Sequence, residues 1–395
     1  MEITKLDLQN FRIYCQESLT FGPGLNVFFG QNAQGKTNLV EAIYVVATGK
    51  SFRTNSDKEL CNWSAGRDTG YKVQTKVKAR NSEFKLLVEY DPVKGKRITF
   101  NETSLAKRSE LLGFLTVVIF TPEDLNIVKG GPSHRRRFID LELAQINPSF
   151  RGILVDYTRV LRQRNNLLKQ YQVKPRSPGL KEVFDLQLTD LATRLLVKRV
   201  EALQRIAQYA GELHQNISNQ KEKLALEYVS SFPIWETRRT RVLDNTWELA
   251  VPEVSLVLAK HLKEKEKDEI IRGSSLFGPH RDDLNLLVNG KDVRAFGSQG
   301  QQRTAALALK LAELEYMKEQ TGEYPVLLLD DVLSELDIER RKYLMNIVQK
   351  QIQIIVTSTD LTHFDAGQLK EAELFRVRQG RVIRFTENKL GEVKE

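Results

Sequence analysis

Cysteine is almost missing from this chain of 395 residues: Cys15 and Cys61 are the only two, and neither belongs to a CxxC or to a Cys/His cluster. That excludes a disulfide framework and a zinc site built from thiolates and imidazoles. Long apolar runs are missing too. The most apolar stretch, LLGFLTVVIF at 111–120, is about half of the roughly 20 residues a membrane-spanning helix needs, so no membrane span is expected. The opening MEITKLDLQNFRIY has no basic segment ahead of an apolar core and alternates as a strand does. No secretory signal is read there, and a cytoplasmic protein is expected. There is no internal repeat and no low-complexity linker; the mixed-charge run KHLKEKEKDEI at 260–270 reads as an exposed helix end.

What is present is length and positive charge. A chain this long is expected to form two or three domains. The net charge is +9, and the excess is uneven, with twelve Lys/Arg against six Asp/Glu in residues 151–212. A basic balance points to a polyanionic partner, although many basic helices are only solvated faces. Arg135, Arg136 and Arg137 are candidate phosphate contacts, because adjacent arginines on a helix fan across more than one face. Pairing with Glu142 or Asp140 is the alternative for some of them.

The chemistry is concentrated in three stretches. In GLNVFFGQNAQGKTNLVEAI an apolar strand, Leu25 to Phe29, leads into Gly30, then Gly35-Lys36-Thr37 and a helix. This is GxxxxGK[ST] with a strand before it and a helix after it. Gly30, Gln31, Asn32, Ala33, Gln34, Gly35, Lys36, Thr37 and Asn38 would wrap a nucleoside triphosphate. Backbone amides and the helix dipole hold its charge, Lys36 reaches the terminal phosphates and Thr37 ligates Mg²⁺.

Far downstream, YPVLLLDDVLSELD runs four apolar residues, Val326 to Leu329, into Asp330-Asp331. Two acids ending a buried strand are costly unless they meet a cation or a water to polarise. Asp330 would hold Mg²⁺ through its water shell, and Asp331 would orient or deprotonate the attacking water. The plain alternative is that both cap the next turn.

The third stretch is GSQGQQR at 297–303, ahead of the helix TAALALKLAELEYMKEQ. Ser298 and Gln301 have capping-box spacing. Gly300, inside the first turn, costs about 1 kcal/mol relative to alanine and leaves bare backbone at an anion-binding helix end. One protomer already covers the phosphates with its own glycine loop. A second helix end on the γ-phosphate would therefore come from another copy, giving a two-fold dimer held by ATP.

Together these residues resemble ABC-type ATPases, whose second element is the signature motif. The order LDLQNFRIY, FGQNAQGKTNLVEAI, GKSFRT, FTPEDLNIVKGGPSHRRRFID, FGPHRDDL, GSQGQQRTAALALKLAE, LLLDDVLSELD is similar to that of the RecF family of bacterial recombination proteins, relatives of the SMC heads. The resemblance runs essentially end to end. It implies that Ser298 and Gly300 are trans γ-phosphate contacts and that Ser334 to Asp337 form a loop crossing the dimer seam, an N-cap at Asp337 being the alternative. It implies that Arg12 lies beside the nucleotide and that Arg53 acts near DNA and ATP. Asp331 stands where transporter subunits carry Glu, so slow hydrolysis is expected. Thr121 or Glu123 stands where they carry a water-positioning Gln, unless that segment only caps a helix started by Pro122. Their switch histidine is absent, with Thr359 nearest to its place and His363 four residues on.

The expected fold class is α/β: an ABC-type P-loop head, with a mixed-sheet core and an antiparallel β subdomain, carrying an inserted, mainly helical second lobe. Residues 1–120 would form the N-terminal part of the ATPase lobe, 121–272 the helical lobe, and 273–395 the C-terminal part with signature and acidic strand end. The leading function is an ATP-gated, weakly hydrolysing, DNA-stimulated clamp. What the resemblance adds is the setting: bacterial cytoplasm and nucleoid, double-stranded and gapped DNA, RecO and RecR as partners, and RecA indirectly. A transporter ATPase subunit or a P-loop small-molecule kinase is the alternative; the first would be shorter and lack the insert, and the second would not need GSQGQQR.

Overall fold

A computed structural model describes residues 1–66, 69–80, 82–173, 179–234, 239–241, 251–348 and 352–385. Its contacts divide the chain into a first unit, Met1–Asp124 with Met317–Glu395, and a second, Leu125–Tyr316.

The first unit has two sheets. One runs, in spatial order, β16 (Arg381–Phe385), β15 (Glu373–Arg378), β3 (Leu25–Phe29), β14 (Ile354–Ser358), β13 (Val326–Asp330) and β8 (Val117–Phe120), parallel except for β16. β3, β13 and β14 are buried at every position, which is what unbroken apolar runs give at the centre of a parallel sheet. Phe28 and Phe375 stack across neighbouring strands with centroids 4.7 Å apart.

The other sheet is antiparallel, in the order β2 (Tyr14–Thr20), β1 (Glu2–Phe11), β4 (Tyr71–Ala79), β5 (Ser82–Asp91), β6 (Gly95–Phe100) and β7 (Thr103–Ser104). Alternation along YKVQTKVKA sends Tyr71, Val73, Thr75 and Val77 inward. A one-residue slip would expose them all, at about 1.5–3 kcal/mol for each large apolar side chain. Helix α1 (Lys36–Thr48) touches strands of both sheets. Every residue from Leu39 to Thr48 is buried, as expected of a helix enclosed on all sides.

The chain between β8 and β13 carries the second unit. Its helices are α2 (Asn126–Lys129), α3 (Pro132–Ile146), α4 (Pro148–Val173), α5 (Leu180–Ile217), α6 (Val251–Glu264), α7 (Glu266–Arg272) and α8 (Val293–Phe296). α9 (Gln299–Thr321) contains the boundary with the first unit, which adds α10 (Ile338–Val348) and α11 (Ala366–Glu371). Leu188, Leu195 and Leu203 of α5 are buried. The second unit also holds a small sheet that helical periodicity did not reveal, ordered β10 (Arg239–Arg241), β9 (Leu224–Val229), β11 (Asp283–Val288) and β12 (Lys291–Asp292). By contacts the signature stretch falls in the second unit, whereas the motif-based division at 272 groups it with the acidic strand end.

Arg164 ties three helices of that unit together. Fully buried, it donates to Asp185 at 2.6 Å, Glu269 at 2.6 Å and the Ser275 hydroxyl at 2.8 Å. The FGPHRDDL stretch knits α4 to the small sheet. Asp282 accepts from Tyr228 Oη at 2.8 Å and from the Ser231 amide at 2.7 Å, and His280 Nδ1 lies 2.6 Å from Tyr157 Oη. Burial pushes the His280 imidazole down to about 4, so it is neutral near pH 7.

Candidate functional site

β3 ends at Phe29 and the chain turns through 30–35 into α1. Two positions there require glycine. Gly30 has φ 151°, and a Cβ would run into the Val377 carbonyl; Gly35 has φ 110°, and a Cβ would strike the side chain of Ile13. Ala33 is also left-handed, with φ 63°, a conformation that costs about 1–3 kcal/mol and persists only where the surroundings impose it. They do. Tyr14 Oη donates to the Gly35 carbonyl at 3.0 Å, the Gly380 amide to the Gln34 carbonyl at 3.2 Å, and the Gln379 amide to Gln34 Oε1 at 2.7 Å. The loop is thus clamped from both sides ahead of the α1 N-terminus, where the first amides of a helix lack intrahelical acceptors.

Lys36 is 7% exposed. Its Nζ donates to the carbonyls of Gly30 at 2.5 Å and Gln31 at 2.8 Å, curling back over the loop. Burial lowers its pKa, and the carboxylates of Asp331 and Asp330 pull it back up, so ammonium and acids share one site. Thr37 Oγ1 donates to Asp330 Oδ1 at 3.0 Å, and Thr357 Oγ1 donates to the same oxygen at 2.8 Å. Burial raises the Asp330 pKa while those two hydroxyls lower it.

Asp331 follows in the left-handed region at φ 55°. Its amide donates to Thr357 Oγ1 at 3.0 Å, and the Ser334 hydroxyl donates to its carbonyl at 2.8 Å. Thr357 therefore serves both acids. Sequence reasoning missed it, and its one signal was the polar TST closing an apolar strand.

This donor set fits a magnesium nucleotide. Thr37 Oγ1 and Asp330 Oδ1 are adjacent hard oxygens, and Mg²⁺ is bound through few protein groups, with water and phosphate oxygens completing the octahedron. Two clefts flank the loop. One, of about 490 Å³, is bordered by Gly30, Gln31, Gln34, Thr359 and Arg376; there Thr359 Oγ1 donates to Asp360 at 3.2 Å. The other, of about 390 Å³, is bordered by Arg12, Ile13, Asn38, Arg53 and Trp63.

Arg12 lines the second cleft, but its guanidinium is held bidentate by the fully buried Glu41 at 2.8 and 2.7 Å and by the Glu59 carbonyl at 2.8 Å. The sequence did not flag Glu41, which also accepts from Ser51 Oγ at 2.5 Å. Arg53 lies 3.4 Å from Asn38 Oδ1 and 3.8 Å from Glu41, at the mouth of the glycine loop. Thr121 takes the plain alternative: a single helical turn starts at Pro122, and the Thr121 amide and hydroxyl ahead of it both donate to Asp124, at 2.6 and 3.3 Å. Asp337 caps α10 through the Arg340 amide at 2.9 Å.

In the second unit Ser298 and Gln301 form the reciprocal capping pair. The Ser298 amide donates to Gln301 Oε1 at 2.8 Å, and the Gln301 amide to Ser298 Oγ at 3.2 Å. Ser298 is exposed, and the Thr304 hydroxyl donates to the Gly300 carbonyl at 2.9 Å.

The three adjacent arginines separate. Arg135 is not available to DNA. It is 2% exposed, bonded twice to Asp283 at 2.6 and 3.0 Å and to the carbonyls of Gly130 and Ile127. Arg136 donates to the Asp282 carbonyl at 2.7 Å. Arg137 is exposed. The expected partner Asp140 is instead taken by Arg199, at 2.8 Å from each oxygen. Arg135→Ala strands Asp283 and is expected to cost about 3 kcal/mol in urea unfolding. Arg137→Ala should leave the unfolding midpoint unchanged and reduce the salt slope of duplex binding by about one.

A family described as "RecF/RecN/SMC N terminal domain" matches residues 2–382. The DNA replication and repair protein RecF of Oceanobacillus iheyensis is 44% identical over 382 residues, 96% of this chain and 99% of that one. Its counterpart from Halalkalibacterium halodurans is 43% identical over 380 residues, 96% and 98% of the two chains. Among solved structures, the recombination mediator protein RecF with ATP, of the RecFOR pathway, superposes with TM-score 0.87 at 34% identity, covering 97% of each chain. An Smc head bound to the C-winged helix domain of ScpA matches over the whole of both chains at TM-score 0.55 and 17% identity, a likeness of fold.

Proposed function

Because this chain belongs to the RecF/RecN/SMC N-terminal-domain family, and within it to the RecF proteins, we propose that it is an ATP-gated DNA clamp acting in DNA replication and repair. The observation that carries the reading is the assembly of Lys36, Thr37 and Asp330–Asp331 around one clamped glycine loop.

In this reading residues 30–38 cradle the triphosphate of ATP and Lys36 neutralises its terminal phosphates. Thr37 and Asp330 hold Mg²⁺, which when bound supplies charge neutralisation at the phosphate oxygens. Asp331 orients the attacking water, and its short side chain keeps hydrolysis slow. Thr359 stands at the rim of the adjoining cleft. Ser298 and Gly300 of a second copy close over the γ-phosphate, so ATP holds two protomers together and hydrolysis releases them.

Basic side chains, Arg137 and Arg136 on α3 and Arg53 beside the loop, contact duplex phosphates. Binding should therefore weaken steeply with salt. The solved relative is described as a recombination mediator of the RecFOR pathway. That supports DNA as substrate and RecO and RecR as partners; the same reading takes the DNA as gapped or double-stranded, RecA as the protein ultimately loaded, and the bacterial nucleoid as the place of action.

Ser298→Arg tests the two-copy site. The added side chain occupies the space a phosphate would take at the helix end, while the cradle is untouched. Analytical ultracentrifugation with ATP, with and without duplex, should show dimers for the natural chain and none for the variant, at equal ATP affinity. Dimers persisting in the variant would refute the trans contact.

A further inference from the structure

Trp63 leaves its indole 84% exposed, an unusual placing for a side chain able to bury about 150–250 Å². It is nevertheless held. Asn62 Oδ1 accepts from the Ser64 amide at 2.8 Å. The Asn62 amide donates to the Asn10 carbonyl at 2.8 Å, and the Arg12 amide to the Leu60 carbonyl at 2.7 Å. Phe11 bridges to Cys61, and Arg12 reaches the Glu59 carbonyl. These bonds stitch residues 59–64 to the turn between β1 and β2, whose Tyr14 in turn holds Gly35. The backbone that carries Trp63 is thus tied to the turn beside the glycine loop by a continuous chain of hydrogen bonds.

The two clefts beside that loop differ in chemistry. Thr357, near the end of β14, bonds the Asp330 carboxylate and the Asp331 amide, and Thr359, two residues on, lines the cleft on that strand's side. The cleft containing Trp63 also contains Asn38, the residue after Thr37 and deeper in α1. A triphosphate with its terminal end at Lys36 would continue past Asn38 toward this cleft. Its nucleoside then leaves into a space of about 390 Å³, within the range of small-molecule sites.

We propose that Trp63 is the stacking platform for the purine base of the bound nucleotide, a proposal that rests on the cradle being a nucleotide site. The platform grips the face of the base. The Asn62 side-chain oxygen beside it accepts from the Ser64 amide, and the contribution assigned to Trp63 is stacking.

The test uses the 395-residue protein and three ligands: ATP, inorganic tripolyphosphate, which keeps the phosphates and lacks the nucleoside, and single-stranded DNA. Base stacking predicts that Trp63→Ala weakens ATP binding by about fivefold to about a hundredfold and leaves tripolyphosphate binding unchanged. Trp63→Phe should restore most of the loss. Unchanged ATP affinity in Trp63→Ala would overturn the proposal. So would parallel loss of ATP and tripolyphosphate, failure of phenylalanine to rescue, or a loss confined to single-stranded DNA, which would give the indole to a nucleic-acid base. Lys36→Ala separates the two layers: if it binds ATP and tripolyphosphate as tightly as the natural chain, the cradle reading itself fails and takes the platform with it.

Discussion

Lys36→Arg is expected to leave the fold intact and to slow ATP hydrolysis by about a hundredfold to a thousandfold, the usual effect of misplacing one donor aimed at developing charge. The residue is 7% exposed and its ammonium already sits 2.5 and 2.8 Å from two loop carbonyls, so space there suits a compact cation. A planar guanidinium is longer, spreads its charge and cannot turn three donors inward from one nitrogen. ATP binding should fall less than turnover, because the backbone amides of the clamped loop remain. Steady-state hydrolysis beside equilibrium ATP binding separates the two effects. Turnover within a fewfold of the natural chain would remove Lys36 from the reacting end of the nucleotide.

Asp331→Asn should abolish most turnover, by about a hundredfold to ten-thousandfold, the range for a lost general base, while ATP binding and ATP-dependent dimers persist. The backbone reason is specific. Asp331 holds φ 55°, and its amide and carbonyl are fixed by Thr357 and Ser334. Asparagine tolerates the left-handed region nearly as well as aspartate, so the substitution removes charge and leaves the turn. Single-turnover hydrolysis and sedimentation on the same sample report both halves. Loss of dimers together with turnover would make Asp331 a structural residue of the turn and not a water-orienting one.

Much of this was legible in the sequence, for physical reasons. A glycine loop between a buried strand and a helix has few other uses, and four apolar residues ending in two acids mark a strand that leads to a charge-handling site. The capping pair at Ser298 and Gln301 was readable because both partners lie within one helical turn. Long-range partners were not. Arg135 looks like its neighbours until Asp283, 148 positions away, folds against it. Glu41 reads as one polar residue of a helix, although both sheets enclose that helix. Thr357 carries its role only because β14 lies beside β13, placing one hydroxyl between Asp330 Oδ1 and the Asp331 amide. The small sheet of the second unit escaped because two of its strands are only two or three residues long and α6 and α7 lie between β9 and its partner β11.

The cradle's flooring has an implication for synthesis. β3, which delivers the glycine loop, is paired on one side by β14 and on the other by β15, and Gln34 is pinned by residues 379 and 380. A growing polypeptide emerging from the ribosome makes the loop early and waits for nearly all of its remaining length before either flank exists. In the proposed reading nucleotide capture therefore waits for β14 and β15, and ribosome-bound fragments that display the whole glycine motif but end before Ile354 are expected to have no grip on ATP.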